Sequence, residues 1–324
     1  MSLDVQDLID RRRLRAKLGF WRLAALVILA LAVLAVPVAR LAGGEGGLPG
    51  RESIARVEIS GLITEDRRLL ALLNELKEDD SVRAVLLKIN SPGGTTVGGE
   101  SLYQAARDLA AKKPVVAEVG TLAASAGYMV AAGSDRIVAR HSSIVGSIGV
   151  IFQYVDASDL LGRVGVDVNA IKSTPLKAEP SPFAPTSEEA RQMIARLVDS
   201  TYEWFVALVA ERRGFSPAEM QPLADGSIFT GDQGLALGLV DEIGGEAEIR
   251  RWLEEERGVP QGLRIVRREP EREGSRWNPL TSARASFFAF LGLDPQAESL
   301  PEALARSAGQ LDGLLSLWQP PLGR

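Results

Sequence analysis

Between residues 55 and 140 continuous apolar runs alternate with amphipathic ones, and that alternation constrains the fold more than any other feature of the chain. "ARVEISGLI" (55–63), "VRAVLLKIN" (82–90), "PVVAEVG" (114–120) and "DRIVAR" (135–140) read as strands. Between them, Leu69, Leu70, Leu72, Leu73 and Leu76 mark one face of a helix over 66–79. Further helices follow over 98–112 and about 124–133, the last made almost wholly of small residues. Strands without polar alternation are buried on both faces, as in parallel sheets with helices above and below. The pattern predicts an α/β domain with a mainly parallel sheet.

Past residue 180 the chain reads as helical. Ser187 is an N-cap candidate with Glu188 and Glu189 in the first turn. Met193, Ile194, Leu197, Val198, Tyr202, Phe205, Leu208 and Val209 recur at spacings of three and four, and Gly214 ends the helix near Arg213. Pro270 and Pro279 bracket a polar, Arg-rich boundary. Beyond it, "SARASFFAFLGL" and "LPEALARSAGQLDGLLSLW" are two short helical candidates expected to dock on protein.

Upstream, Leu23–Ala39 is apolar without a charge. As a helix it is roughly 26 Å long, near the thickness of a hydrocarbon core. Arg11, Arg12, Arg13, Arg15, Lys17 and Arg22 precede it, whereas Arg40 and Arg51 follow. That asymmetry predicts a retained signal anchor with the N-terminus in the cytoplasm. The organisation is then a basic N-terminus (1–22), an anchor (23–42), a Gly-rich linker (43–51), one folded domain (52–267) and a partly helical extension (268–324).

Composition removes several chemistries. The 324 residues contain no cysteine and a single histidine, His141. A thiol nucleophile and a Cys/His zinc site are excluded, and no cofactor or metal is expected. A Ser-His-Asp triad would have to use His141; any other hydrolase takes its base from lysine, a carboxylate or a metal. The formal net charge of −5 argues against nucleic acid as a partner.

Three glycine-containing stretches remain as candidates. "NSPGGTTVGGE" (90–100) joins a buried strand to a helix. Its glycines either make a plain turn or aim backbone N–H groups outward; it matches no phosphate-loop spacing. "AASAGY" places Ser125 at a strand-to-helix turn, as an N-cap or as a nucleophile whose oxyanion the N–H of Ala126 would meet. "GSIGV" (146–150) holds Ser147, in a run that otherwise reads as close backbone packing. For a base, "IKSTPLKAEPSPF" (171–183) offers Lys172 and Lys177. A buried amine loses its proton more readily and then accepts one from serine. Spacing alone does not choose between the two lysines.

Together "KINSPGG", "ASAGY", "GSIGV", "IKSTPLKAEPSPFAPTSEEARQ", "VDSTYEWFVALVAERRG" and "DGSIFTGDQGLALGLVDEIGG" resemble signal peptide peptidase A in its short, single-domain bacterial form, over about residues 52–256. The resemblance implies a Clp protease/crotonase-like fold and a membrane-anchored serine protease with a Ser/Lys dyad. Carried over by motif, Ser125 is the nucleophile, Lys177 the general base and Ser147 the group that orients the lysine. Gly94 and Ala126 supply the oxyanion-hole N–H groups. Family members often carry glycine at the position of Ala126, but the donor is a backbone N–H. The resemblance also implies leftover signal peptides and unfolded segments as substrates, and a homo-oligomeric ring in which the lysine meets a neighbour's serine. It implies an inner-membrane location with the catalytic domain on the periplasmic side. Two other readings fit the same fold: a crotonase-like acyl-CoA enzyme, and a non-catalytic, membrane-tethered peptide-binding scaffold.

Overall fold

Along the second strand, Val85, Leu87 and Ile89 enter one apolar cluster while Ala84 and Leu86 enter another. Successive side chains point to opposite faces of a strand, so both faces of this sheet are covered. The structure, a computed structural model, describes residues 52–270 and the backbone of Leu314–Leu317. The expected anchor, the linker and the first tail helix lie outside the described residues. Among the described residues no helix is long and apolar enough to cross a membrane.

The parallel core consists of β1 (Ser53–Ile63), β2 (Val82–Thr95), β3 (Val115–Ala124) and β4 (Arg136–Ala139). Its neighbours run in the order β9 (Arg264–Arg268), β1, β2, β3, β4, β8 (Glu242–Ile243), all parallel. The larger cluster is covered by α1 (Arg67–Glu78), α2 (Thr96–Ala110), α3 (Ala126–Ala132) and α5 (Glu188–Arg213). The smaller one is covered by α8 (Glu246–Glu255), through Ile249, Trp252 and Leu253. The α/β expectation therefore holds, with strand and helix positions close to those read from the pattern.

Local chemistry sets several boundaries. Asp66 caps α1 by accepting from the Arg68 and Leu69 amides. Ser187 accepts from Ala190 N, and Gly214, at φ 71, closes α5 in the left-handed region that glycine tolerates. Arg213 then ties the end of α5 to the sheet, with its two guanidinium nitrogens 2.7 and 3.1 Å from the Asp241 carboxylate. The apolar stripe of α5 is used unevenly: Phe205, Leu208 and Val209 are buried, but Leu197 is exposed.

Shorter elements extend the C-terminal edge of this sheet. β5 (Ile144–Gly146) continues beside β3, parallel to it, and β7 (Ile228–Thr230) runs antiparallel to β5. β6 (Ile151–Phe152) follows, and then α4 (Ser158–Arg163). Two small helices, α6 (Pro217–Met220) and α7 (Gly231–Ala236), and a 3-10 turn over Gln221–Leu223 complete the described helical set. From residue 151 to 185 no residue is buried.

The tail departs from expectation. Residues 314–317, expected to continue a helix, form strand β10 (Leu314–Leu317), antiparallel to both β2 and β6. Leucine and serine carry no strong strand preference, so pairing with two open edges decides the conformation.

Candidate active site

Three strand ends meet at one level. Ser91 of β2 and Ala123 of β3 form the last pair between these strands, so the Gly93–Gly94 turn and Ser125 both follow it at the same end of the sheet. Ala124 pairs with Gly146 of β5, which brings Ser147 alongside Ser125 from the other side. Ser125, Ser147 and the Gly93–Gly94 turn therefore share the carboxyl end of the sheet. In open α/β folds this is where connecting loops leave room for a ligand.

Ser125 is held in an uncommon conformation, φ 55 and ψ −119. A positive φ in a residue with a Cβ costs about 1–3 kcal/mol and persists only when the surroundings fix it. Here the Ser125 N–H donates to the Gly146 carbonyl at 2.8 Å, and its own carbonyl accepts from Met129 N at 2.9 Å. Ser125 stands at the N-cap position of α3, but its side chain makes no capping bond to the helix. Ala126 opens α3 and is not among the residues with positive φ. A backbone donor at that position therefore does not require glycine.

The small neighbours of Ser125 serve close packing rather than an open approach. A Cβ on Gly127 would stand 2.9 Å from the Ser91 carbonyl oxygen, and one on Gly99 2.9 Å from the Ala126 Cβ. Ser125 itself is fully buried.

The glycine turn is braced by Ser91, a residue the motif reading did not single out. Its Oγ donates to Gly61 O at 2.6 Å and accepts from Gly93 N at 3.1 Å. Gly93 adopts φ 114, which only glycine takes readily. Gly94 is needed for a different reason: a Cβ there would lie 1.8 Å from the Ile63 carbonyl oxygen. We expect Gly94→Ala to push β1 from β2 and cost about 3 kcal/mol, at the upper end for overpacking. Urea unfolding at fixed protein concentration checks this; an unchanged midpoint refutes it.

On the β5 side, Gly146 has φ 99 and Ser147 has φ 51. The Ser147 N–H donates to Ser227 O at 2.7 Å, fastening the turn to the start of β7. Close backbone packing, the plainer reading of "GSIGV", is thus what Gly146 does. Ser147 borders a cavity of about 460 Å³, with Val150, Ile151, Tyr202 and Asp225 on its walls.

The two lysines differ. Lys172 Nζ sits 2.5 Å from Glu179 Oε1. That hydrogen bond holds the Glu179 carboxyl below its usual range, helped by the Ser181 amide. Lys177 is exposed, on a short turn where its N–H donates to Thr174 O at 3.1 Å. Among the described residues its ammonium has no hydrogen-bond or ion-pair partner, so one chain does not join it to Ser125. His141 is spent elsewhere: its ring is largely open to solvent and Nδ1 lies 2.7 Å from Asp232 Oδ1. Among the described residues no cluster of His, Cys, Asp and Glu is arranged to hold a metal ion.

Comparison with known proteins decides the family. Residues 107–260, which contain Ser125, Ser147 and Lys177, match the model of Peptidase family S49. A protein of Methanocaldococcus jannaschii that bears a protease name is 39% identical over 233 residues, 67% of this chain and 75% of that protein. The chain belongs to peptidase family S49. An Enterococcus faecium relative that bears the name signal peptide peptidase is 39% identical over 182 residues, 55% of this chain and 52% of its own length. The chloroplastic serine protease SPPA of Arabidopsis thaliana is 25% identical over 286 residues, 82% of this chain and 42% of its own. This S49 member is a signal peptide peptidase A-like serine protease. The acyl-CoA and scaffold alternatives fall with that assignment.

Proposed function

We propose that this S49 protease cleaves residual signal peptides through a Ser125/Lys177 dyad that closes only in a homo-oligomer at the membrane. The observation that carries the reading is Ser125. It is a strained, buried serine at a strand-to-helix turn, level with a glycine turn on one side and with Ser147 on the other. No cysteine exists, and the single histidine is paired on the surface. The base must then come from another residue type, and Lys177 is the motif-matched lysine that is not engaged by a carboxylate.

In this mechanism Ser125 Oγ attacks the peptide carbonyl while the neutral Lys177 amine takes its proton. The resulting oxyanion is met by the Gly94 and Ala126 N–H groups, fixed donors that do not reorganise as charge develops. Collapse breaks the C–N bond, and the Lys177 ammonium passes the proton to the leaving amine. The acyl group then remains on Ser125. Water, deprotonated by Lys177, releases the carboxylic acid and restores the serine. Ser147 orients the amine.

Surface left uncovered supports the oligomer. Val155, Leu160, Val164, Val166, Val168 and Ile171 are all exposed. An apolar stretch of this extent marks an interface. Covering it would also bring a neighbour against the segment that carries Lys177. The apolar run Leu23–Ala39 supports a membrane anchor with the protease domain on the periplasmic side.

Detergent-solubilised full-length protein should cut a synthetic signal peptide within its apolar stretch, read by mass spectrometry, and leave crotonyl-CoA unchanged. An intact peptide beside altered crotonyl-CoA would reverse the assignment.

A further inference from the structure

Beside Ser147 lies a charge that the dyad does not use. The cavity of about 460 Å³ bordered by Ser147 has apolar walls from Val150, Ile151, Tyr202 and Ala224. Among the described residues that line it, Asp225 alone is charged. Two hydrogen bonds tie this carboxylate to the reacting end of the sheet. The Ser147 N–H donates to Ser227 O at 2.7 Å, and the Ser227 N–H donates to Asp225 Oδ1 at 2.9 Å. Across the cavity, the Tyr202 hydroxyl donates to Ala224 O at 2.8 Å and fixes that wall to α5. The Ser227 hydroxyl and amide hold the Asp225 carboxyl below its usual range, so it is ionised at neutral pH. Among the described residues it has no ion-pair partner.

We propose that Asp225 is a specificity-determining residue that selects substrates carrying a lysine or arginine close to the scissile bond. The inference rests on the Ser125 protease reading above and names a feature of its substrate. A long cationic side chain has an apolar stem and a charged tip. The cavity offers both matches: Val150, Ile151 and Tyr202 for the stem, and the carboxylate for the tip. A neutral side chain of the same length would fill the walls but leave the covered carboxylate unpaired, which costs binding. An acidic one would be repelled. Signal peptides place their basic residues directly before the apolar stretch. A subsite of this chemistry therefore sets the cut at the basic end of that stretch.

The test reads binding first. Full-length Ser125→Ala protein in non-ionic detergent is titrated with fluorescein-labelled signal peptides, followed by anisotropy at one salt concentration. The peptides carry Lys, Gln or Glu immediately before the same apolar stretch. The Lys peptide should bind about tenfold more tightly than the Gln peptide, the scale of a hydrogen bond between charged groups. Adding Asp225→Asn keeps the turn, because an amide oxygen still accepts from the Ser227 N–H, and should bring the two affinities together. Adding Asp225→Lys should make the Glu peptide the tightest of the three. A purely structural Asp225 would shift all three peptides alike and leave their ratios untouched. Unchanged ratios in both variants, or no binding of any peptide, overturn the proposal. Failure of the protease reading itself shows separately, as peptide cleavage that survives Ser125→Ala.

Discussion

Replacing Ser125 will separate activity from stability. Ser125→Ala should lower peptide cleavage at least about 10⁴-fold, the scale on which an acyl-enzyme mechanism fails without its nucleophile. Alanine keeps the Cβ and so keeps the backbone strain; its melting temperature should stay near that of the parent. Ser125→Gly removes the hydroxyl and the strain together. Relief of a φ of 55 is worth about 1–3 kcal/mol, against about 0.5–1 kcal/mol for glycine's greater freedom in the unfolded chain. The net gain, about 1 kcal/mol, raises the melting point of a domain this size by about 2–4 °C. Both variants should be equally inactive, with only the glycine form more stable. Calorimetry at fixed protein concentration, beside fluorogenic peptide cleavage, reads the two effects. If Ser125→Gly melts lower than Ser125→Ala, the turn is not strained. If either variant still cleaves at a tenth of the parental rate, Ser125 is not the nucleophile.

Why this strain was invisible in the sequence is instructive. Glycine advertises a positive φ, but Ser125 and Ser147 carry side chains and still adopt it. Their conformations are imposed by neighbours far along the chain: the Gly146 carbonyl holds the Ser125 amide, and the Ser227 carbonyl holds the Ser147 amide. What is local was legible. Continuous apolar runs found the parallel strands, because both faces of the sheet are covered. The cap at Ser187 and the stop at Gly214 delimited α5 because each acts within one turn. What depends on a distant partner was not legible. Leu314–Leu317 becomes a strand only because two edges await it. Spacing likewise left the choice of lysine open, and the Glu179 partner that distinguishes Lys172 from Lys177 emerges only in three dimensions.

Lys177 carries the second large effect, and its test distinguishes a base from a mere charge. Lys177→Ala should lower cleavage at least about 10³-fold, within the range set by loss of a general base and a leaving-group acid together. Lys177→Arg keeps the positive charge but cannot give up a proton at any working pH, so it should be equally inactive. Recovery by arginine would mean that Lys177 holds an ion pair rather than moving a proton. Lys172→Ala should retain most activity, because Lys172 is held by Glu179 and has no assigned part in the proton transfer. The exposed position of Lys177 makes a further demand. If the amine is supplied by a neighbouring subunit, two inactive proteins complement one another. Co-expressed Ser125→Ala and Lys177→Ala chains, purified through two different tags, would form rings in which some sites combine the intact serine of one chain with the intact lysine of the next. Random mixing in a cyclic assembly gives such sites at about one position in four, so cleavage should return to about a quarter of the parental level. A dyad formed within each chain predicts none, since every chain then lacks half of its own pair. Restored cleavage means that a neighbouring subunit completes the active site, and the isolated chain is then inactive for want of a neighbour.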